Sequence, residues 1–447
     1  MNQLNNKQEK NLYSSSKGTT PIMLIVGIAF LAANLRAPLT SIGPLVNLIR
    51  ANLHISNTLA GMITTLPLFA FALFSPLAPG LARKFGTTLV LLWSVAFLTV
   101  GILLRSQSGS FGLFLGTAIL GLSISVGNVL IPSLIKKEFP ERVGVMTGIY
   151  SVSMNIFAAI ASGISIPLAT ELGLGWMGAL RIWALLSFIS IILWIPQMKR
   201  RNRKISIIEE TIDLDIATDT LEIHDEIDEI TVVQGSVIKK VNLWKSPLAW
   251  QVTLYMGLQS MVFYCMVAWL PGILIKQGMD SANAGWMLSL MQLALIPVTF
   301  IGSVLAGRKA NQRSLVAIGS ICVLMGLLGL LLGGARLAFL WIIVLGVGGG
   351  LTFSLAMMFF SLRTENSDEA ARLSGMAQSI GYMLAAFGPM FFGYLHDMTN
   401  NWTMPLIILI GFAGICLLAG LGAARDLHVG STVNNKGGPE FFISNLD

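Results

Sequence analysis

The chemistry in this chain starts at Arg36. It lies near the middle of an apolar run over 22–48, too deep for its side chain to reach either surface easily. A guanidinium is a planar fork of donors that matches a carboxylate or another small planar anion. Thr40 and Gly43 share its helix face at i+4 and i+7. Pro38 and Pro44 remove backbone hydrogen bonds and permit a local break there. No Asp or Glu falls in the core of any apolar run; Glu138, Glu365 and Asp397 lie at or beyond run ends. Arg36 is therefore expected to face water or an anionic ligand; the alternative is a guanidinium bonded to helix-end carbonyls or to amide side chains of neighbouring helices. Other polar residues set inside apolar runs are Asn128, Tyr150, Asn155, Gln259, Tyr264, Gln292, Gln378 and Tyr382. Ser374, Gln378 and Tyr382 follow one another at i+4 and form one polar stripe on a helix. Each Asn or Gln could equally serve as a hydrogen bond between helices; the set points to a site more strongly than its members. Asn34 points to a different face and reads as packing.

The elements that must position these groups are membrane spans. The chain has 447 residues, 54% hydrophobic and 11% charged, with mean hydropathy +0.74. Soluble domains carry about 25% charged residues, so an ordinary soluble enzyme and a disordered chain are both excluded. A span needs about 20 mostly apolar residues. Twelve stretches qualify: 22–48, 57–81, 87–104, 111–135, 143–169, 176–197, 248–274, 282–306, 314–334, 337–361, 371–395 and 402–424. The first is too long for a signal-peptide core and lacks a cleavage site, so it counts as a span. Cys265, Cys322 and Cys416 lie in different apolar runs and read as small buried residues, not a disulfide framework or metal site.

Basic residues orient the spans. With the N-terminus inside, 23 Lys and Arg fall in cytoplasmic segments and four outside, at Arg50, Arg105, Lys276 and Arg336. Both termini are therefore expected to be cytoplasmic. Arg181, Lys136 and Lys137 read as interfacial anchors. The +7 net charge reflects this loop bias and implies no nucleic-acid partner. The one long hydrophilic stretch, 198–247, opens on the basic run Lys199–Lys204 and holds ten acids between Glu209 and Glu229. Its composition is that of a solvated linker. The expected division is a cytoplasmic tail 1–21, a six-helix unit 22–197, the linker 198–247, a second six-helix unit 248–424 and a cytoplasmic tail 425–447. Weak repeats support a duplication: Ala60-Gly61 to Leu81-Ala82 has the spacing of Ala284-Gly285 to Leu305-Ala306. Likewise Thr147-Gly148 precedes Ala158-Ala159 as Ser374-Gly375 precedes Ala385-Ala386.

These residues carry a resemblance. The run Asn34-Leu35-Arg36-Ala37-Pro38-Leu39-Thr40-Ser41-Ile42-Gly43-Pro44 resembles the first-helix signature of the cyanate/2-nitroimidazole porter family (CynX/NimT type) of the major facilitator superfamily. Similar matches are Gly127-Asn128 to Pro132, Phe139-Pro140-Glu141-Arg142, Trp250-Gln251 with Met256 to Ser260, Ala268-Trp269-Leu270-Pro271, and Leu373 to Tyr382. The resemblance implies an all-α fold of twelve helices in two pseudo-symmetric six-helix bundles. Spans one, four, seven and ten would line a central cavity, with two, five, eight and eleven completing its walls. One departure stands out: the superfamily usually has an Asp in the loop after span two, where this chain has Arg83.

The expectation is a secondary transporter of a small, cyanate-like anion or polar solute in a bacterial cytoplasmic membrane. It would act by alternating access around a site built from Arg36, Thr40, Asn128, Tyr150, Asn155, Gln259, Tyr264, Gln292, Gln378 and Tyr382. The alternative is an exporter of nitroimidazole-like compounds, with Tyr264, Trp269 and Tyr382 as a stacking wall. No cofactor is expected: metal-ligand spacing, a nucleophile elbow and an ATP-binding loop are all missing, and the glycines at 346–350 lack a following Lys-Ser/Thr. A sensor signalling through the linker, or a membrane enzyme, is disfavoured. The partners are a small-molecule substrate, the lipid bilayer, and either a proton or a counter-anion, with the protein acting as a monomer.

Overall fold

The fold is seen in a computed structural model that describes residues 20–198 (apart from 56 and 108) and 242–429. The tails and the acidic linker lie outside the described residues.

Among the described residues, ten helices are long and apolar enough to cross a bilayer, and a bent pair makes an eleventh span. The twelfth is the 33-residue helix Ser367–Thr399. It is less apolar because its first turn holds Asp368 and Glu369 and its inner face carries the Ser374–Gln378–Tyr382 stripe. Three spans that read as continuous are interrupted. The first comprises Thr20–Thr40 and Ile42–Leu53, with a turn at Ser41 between two prolines. The second comprises Asn57–Phe74 and Ala78–Phe85, bent by 55° at Ser75-Pro76-Leu77, where Pro76 has no N–H to give the helix ladder. The sixth, Gly175–Met198, has a turn at Ile182. The others are Thr87–Arg105, Ser110–Glu138, Val143–Thr170, Pro247–Lys276, Ser281–Arg308, Arg313–Leu332, Ala338–Leu362 and Thr403–Ala423.

Packing repeats between halves. Span one packs on five, two on four and three on four; seven packs on eleven, eight on ten and nine on ten. The halves meet where five packs on eight and two on eleven, the two contacts a pseudo-two-fold axis would exchange. Leu73, Trp93, Phe111, Leu332 and Leu418 are exposed at the outer surface, as lipid-facing residues must be. Cys265 and Cys416 are buried free thiols and Cys322 is half-buried.

The basic residues include two surprises. Arg105, read from sequence as a loop residue, ends span three and is 0% exposed. Arg363, counted with the cytoplasmic loops, is 1% exposed. It donates to Gln312 Oε1 and pairs with Asp426 at 3.8 Å. Burial pushes its guanidinium down to about 10, with Asp426 opposing the shift.

Candidate functional site

Arg36 falls in the last turn of Thr20–Thr40, before the break at Ser41. Thr40 Oγ1 donates to Arg36 O at 3.2 Å and to Ala158 O at 3.0 Å, tying this turn to span five. Arg36 Nη1 donates to Asn155 Oδ1 at 3.1 Å, also on span five. The guanidinium then reaches across to the other half. Its Cζ lies 5.2 Å from the ring centre of Phe263 on span seven and 5.0 Å from that of Phe353 on span ten. Aromatic faces stabilise a desolvated cation by about 2 kcal/mol, and they leave the N–H edges for a ligand in the ring plane. The adjoining chamber is lined by Arg36, Gln259, Ser260, Phe263, Tyr264, Leu295, Phe353 and Tyr382. Its volume is about 10 Å³, room for about one water-sized occupant.

The structure thus brings Arg36, Gln259, Tyr264 and Tyr382 to one chamber, with Asn155 and Thr40 holding Arg36. Asn128, Tyr150 and Gln378 form a buried layer beside it. Tyr150 OH donates to Asn128 Oδ1 at 3.4 Å, and Gln378 Nε2 donates to Asn128 O at 2.9 Å and Ser374 Oγ at 2.8 Å. Gln292 is not among the lining residues. Trp269 is elsewhere: it donates to Pro389 O at 2.9 Å and packs on Trp402. Asn34 packs as expected, donating to Ser190 Oγ at 2.6 Å on span six. The sequence reading missed Phe263, Phe353 and Leu295; apolar residues in apolar helices carry no signal of their own. Ser260, beside Gln259, was within reach of it. Among the described residues the ion pairs are Arg83–Asp368, Arg363–Asp426 and Arg372–Asp368, none at the chamber.

Residues 22–389 match the family model of the Major Facilitator Superfamily. The chain belongs to this superfamily. The facilitator is 46% identical to the "Uncharacterized transporter YycB" of Bacillus subtilis (strain 168), over 91% of this chain and 94% of that one. It is 36% identical to the 2-nitroimidazole transporter of Escherichia coli (strain K12), over 93% and 99%. The 2-nitroimidazole relative agrees with the cyanate/2-nitroimidazole porter type. Among solved structures it resembles the proton:xylose symporter XylE, with TM-score 0.68 and 12% identity over 91% of this chain and 97% of that one; this likeness concerns the fold. The protein is a multi-pass membrane transporter of a small molecule.

The facilitator's halves are closed against each other on the side where spans six and seven meet the linker. Lys136 Nζ donates to Ser361 O at 2.6 Å and also to Thr364 O. This corrects its reading as an anchor: Lys136 caps the carbonyl end of span ten in the opposite half. Ser133 Oγ donates to Ser367 O at 2.7 Å, and Gly144 sits so close to Gly307 and Ser303 that a Cβ there would fall 2.7 Å from Ser303 O. Arg83 pairs with Asp368 of the other half at 3.6 Å. Arg83, which stands where the superfamily usually has an Asp, thus puts a cation on the span-two side against an acid at the start of span eleven. Both groups are about half exposed, so the pair contributes little to stability.

Proposed function

We propose that this facilitator is a secondary carrier of a small monovalent anion, working by alternating access around Arg36 and exchanging one anion for another. The observation that carries the reading is the Arg36 guanidinium at the junction of the halves, bonded to the neutral Asn155 and flanked by two rings. Its neighbours Gln259, Ser260, Tyr264 and Tyr382 can all donate hydrogen bonds. The chamber in this closed form holds about one water-sized occupant, so a small ion such as cyanate or nitrate needs its walls to part, and a larger solute would need more. Residues 22–197 and 248–424 would rock as units, with the protein acting as a monomer. Positive-inside bias puts the linker side and both termini in the cytoplasm of a bacterial cell; without the buried Arg105 and Arg363 the count is 22 against 3. The closed linker side then makes this the outward-facing or occluded form.

Exchange follows from the same charge. An empty carrier must take an uncompensated guanidinium through the occluded form, which costs several kcal/mol; a bound anion offsets that cost. No carboxylate among the described lining residues could do so. In proteoliposomes, labelled nitrate or cyanate should enter at least about tenfold faster against internal nitrate than against internal gluconate. Equal rates would remove the exchange mechanism. Export of neutral nitroheterocycles is the second reading, favoured by the 2-nitroimidazole relative; including 2-nitroimidazole among the substrates decides between them.

The linker is proposed to be dispensable for transport. Replacing Glu209–Glu229 by a Gly/Ser stretch of equal length should leave uptake within about threefold, because so acidic a segment buries little apolar surface. Loss of uptake at normal membrane abundance would indicate a regulatory contact instead.

A further inference from the structure

Arg105 is a buried cation that the site described so far does not use. It is 0% exposed. Nη1 donates to Pro38 O at 2.6 Å, while Nε and Nη2 have no partner among the described residues. It belongs to none of the ion pairs found there. Such a group is costly in a membrane, and its placement indicates what it does. Thr20–Thr40 ends just beyond Pro38. The last carbonyls of a helix lack partners within it and form the negative end of its dipole. Pro44 removes the N–H that would serve the Thr40 carbonyl. Pro38 O receives Arg105 Nη1 and, at 3.2 Å, Ser41 Oγ. Arg36 lies half a turn before that carbonyl.

We propose that Arg105 is a positioning residue for the anion site: it caps the broken end of span one and so fixes the aim of Arg36 between Phe263 and Phe353. Its charge also adds to the positive potential that an anion meets in a low-dielectric surrounding. The inference rests on the reading of Arg36 as the anion-binding group. Without the cap, the Pro38 carbonyl loses its charged donor and keeps the longer bond from Ser41 Oγ, and Arg36 samples orientations in which its fork no longer meets the ligand. The residues that close the linker side are untouched, so the maximal rate should change little.

The test measures KM and maximal rate for nitrate and cyanate in proteoliposomes, and amide exchange at Ile42, Gly43 and Leu45, in Arg105→Met and Arg105→Lys. Methionine keeps length and apolar bulk but donates nothing; lysine keeps the charge and one donor. Losing the alignment of one charge-assisted contact should raise KM about tenfold in Arg105→Met, with maximal rate within about twofold. Arg105→Lys should restore KM to about two- to threefold above the parent. The amides of Ile42, Gly43 and Leu45 should exchange faster in the order parent, Lys, Met. If Arg36→Gln raises KM and Arg105→Met does not, Arg105 has no positioning role and the anion reading stands. If neither changes KM, the anion reading falls and the inference with it. A proportional loss of maximal rate for nitrate, cyanate and 2-nitroimidazole at unchanged KM would make Arg105 a fold residue only. Should Arg105→Met fail to accumulate, Arg105→Lys decides alone, and an unchanged KM with unchanged amide exchange overturns the proposal.

Discussion

Arg36→Gln should raise the KM for nitrate or cyanate by about tenfold to a hundredfold, since charged hydrogen bonds contribute about 1.5–3 kcal/mol. The parent offers the ligand a charged fork whose faces are already covered by Phe263 and Phe353. Glutamine leaves an anion desolvated beside neutral groups. Arg36→Lys keeps the charge but loses the planar fork and its fit between two rings, so its KM should fall between the two. The thermal midpoint of Arg36→Gln should rise or stay level, because an uncompensated cation is removed. A neutral nitroheterocycle reverses the ranking: Tyr264→Ala or Tyr382→Ala should then harm uptake more than Arg36→Gln. Uptake normalised to membrane abundance reads both orders in one series. An Arg36→Gln carrier with unchanged nitrate and cyanate KM would take Arg36 out of the binding site.

The membrane fold was legible because a bilayer imposes length and polarity on each span, and both survive in a single sequence. Arg36, Gln259, Tyr264 and Tyr382 were legible for a related reason: a polar group in an apolar run costs energy and so signals a role. The same logic failed at Arg105 and Arg363. Each falls at the edge of an apolar run, where a cation normally reaches water, and only tertiary packing shows that spans close over it. Lys136 misled in the same way; a lysine at a span end looks like an anchor until the opposite half's carbonyls are seen 2.6 Å away. Phe263 and Phe353 illustrate the converse. Their meaning depends on a cation from another span, and nothing local distinguishes them from lipid-facing or core phenylalanines. The breaks at Ser41 and Ser75–Leu77 were half legible: prolines mark where a helix can break, while packing decides where it does.

Gly307→Val should abolish more than about 90% of transport at near-normal membrane abundance, because it blocks one conformation and not the fold. A Cβ at Gly307 would stand 2.9 Å from Gly144 Cα and 3.1 Å from Gly144 N. These are backbone atoms of the opposite half, and the clash is relieved only if the halves part. Overpacking of this kind costs about 1–3 kcal/mol when it can relax locally; across a rocking interface the relaxation is the opening motion itself. The variant should therefore sit with its linker side open. Lys136→Met loosens the same face more gently. It removes a charged donor from the end of span ten, a loss of about 1.5–3 kcal/mol, which shifts an evenly balanced equilibrium about tenfold or more. A cysteine placed at Ser133, buried beside Ser367 in this form, reports the change through labelling by a thiol reagent from the linker side. Labelling should be slow in the parent, faster with Lys136→Met and fastest with Gly307→Val. Equal labelling in all three would mean that these contacts do not hold the face closed, and full transport by Gly307→Val would show that the carrier cycles without bringing Gly144 and Gly307 together.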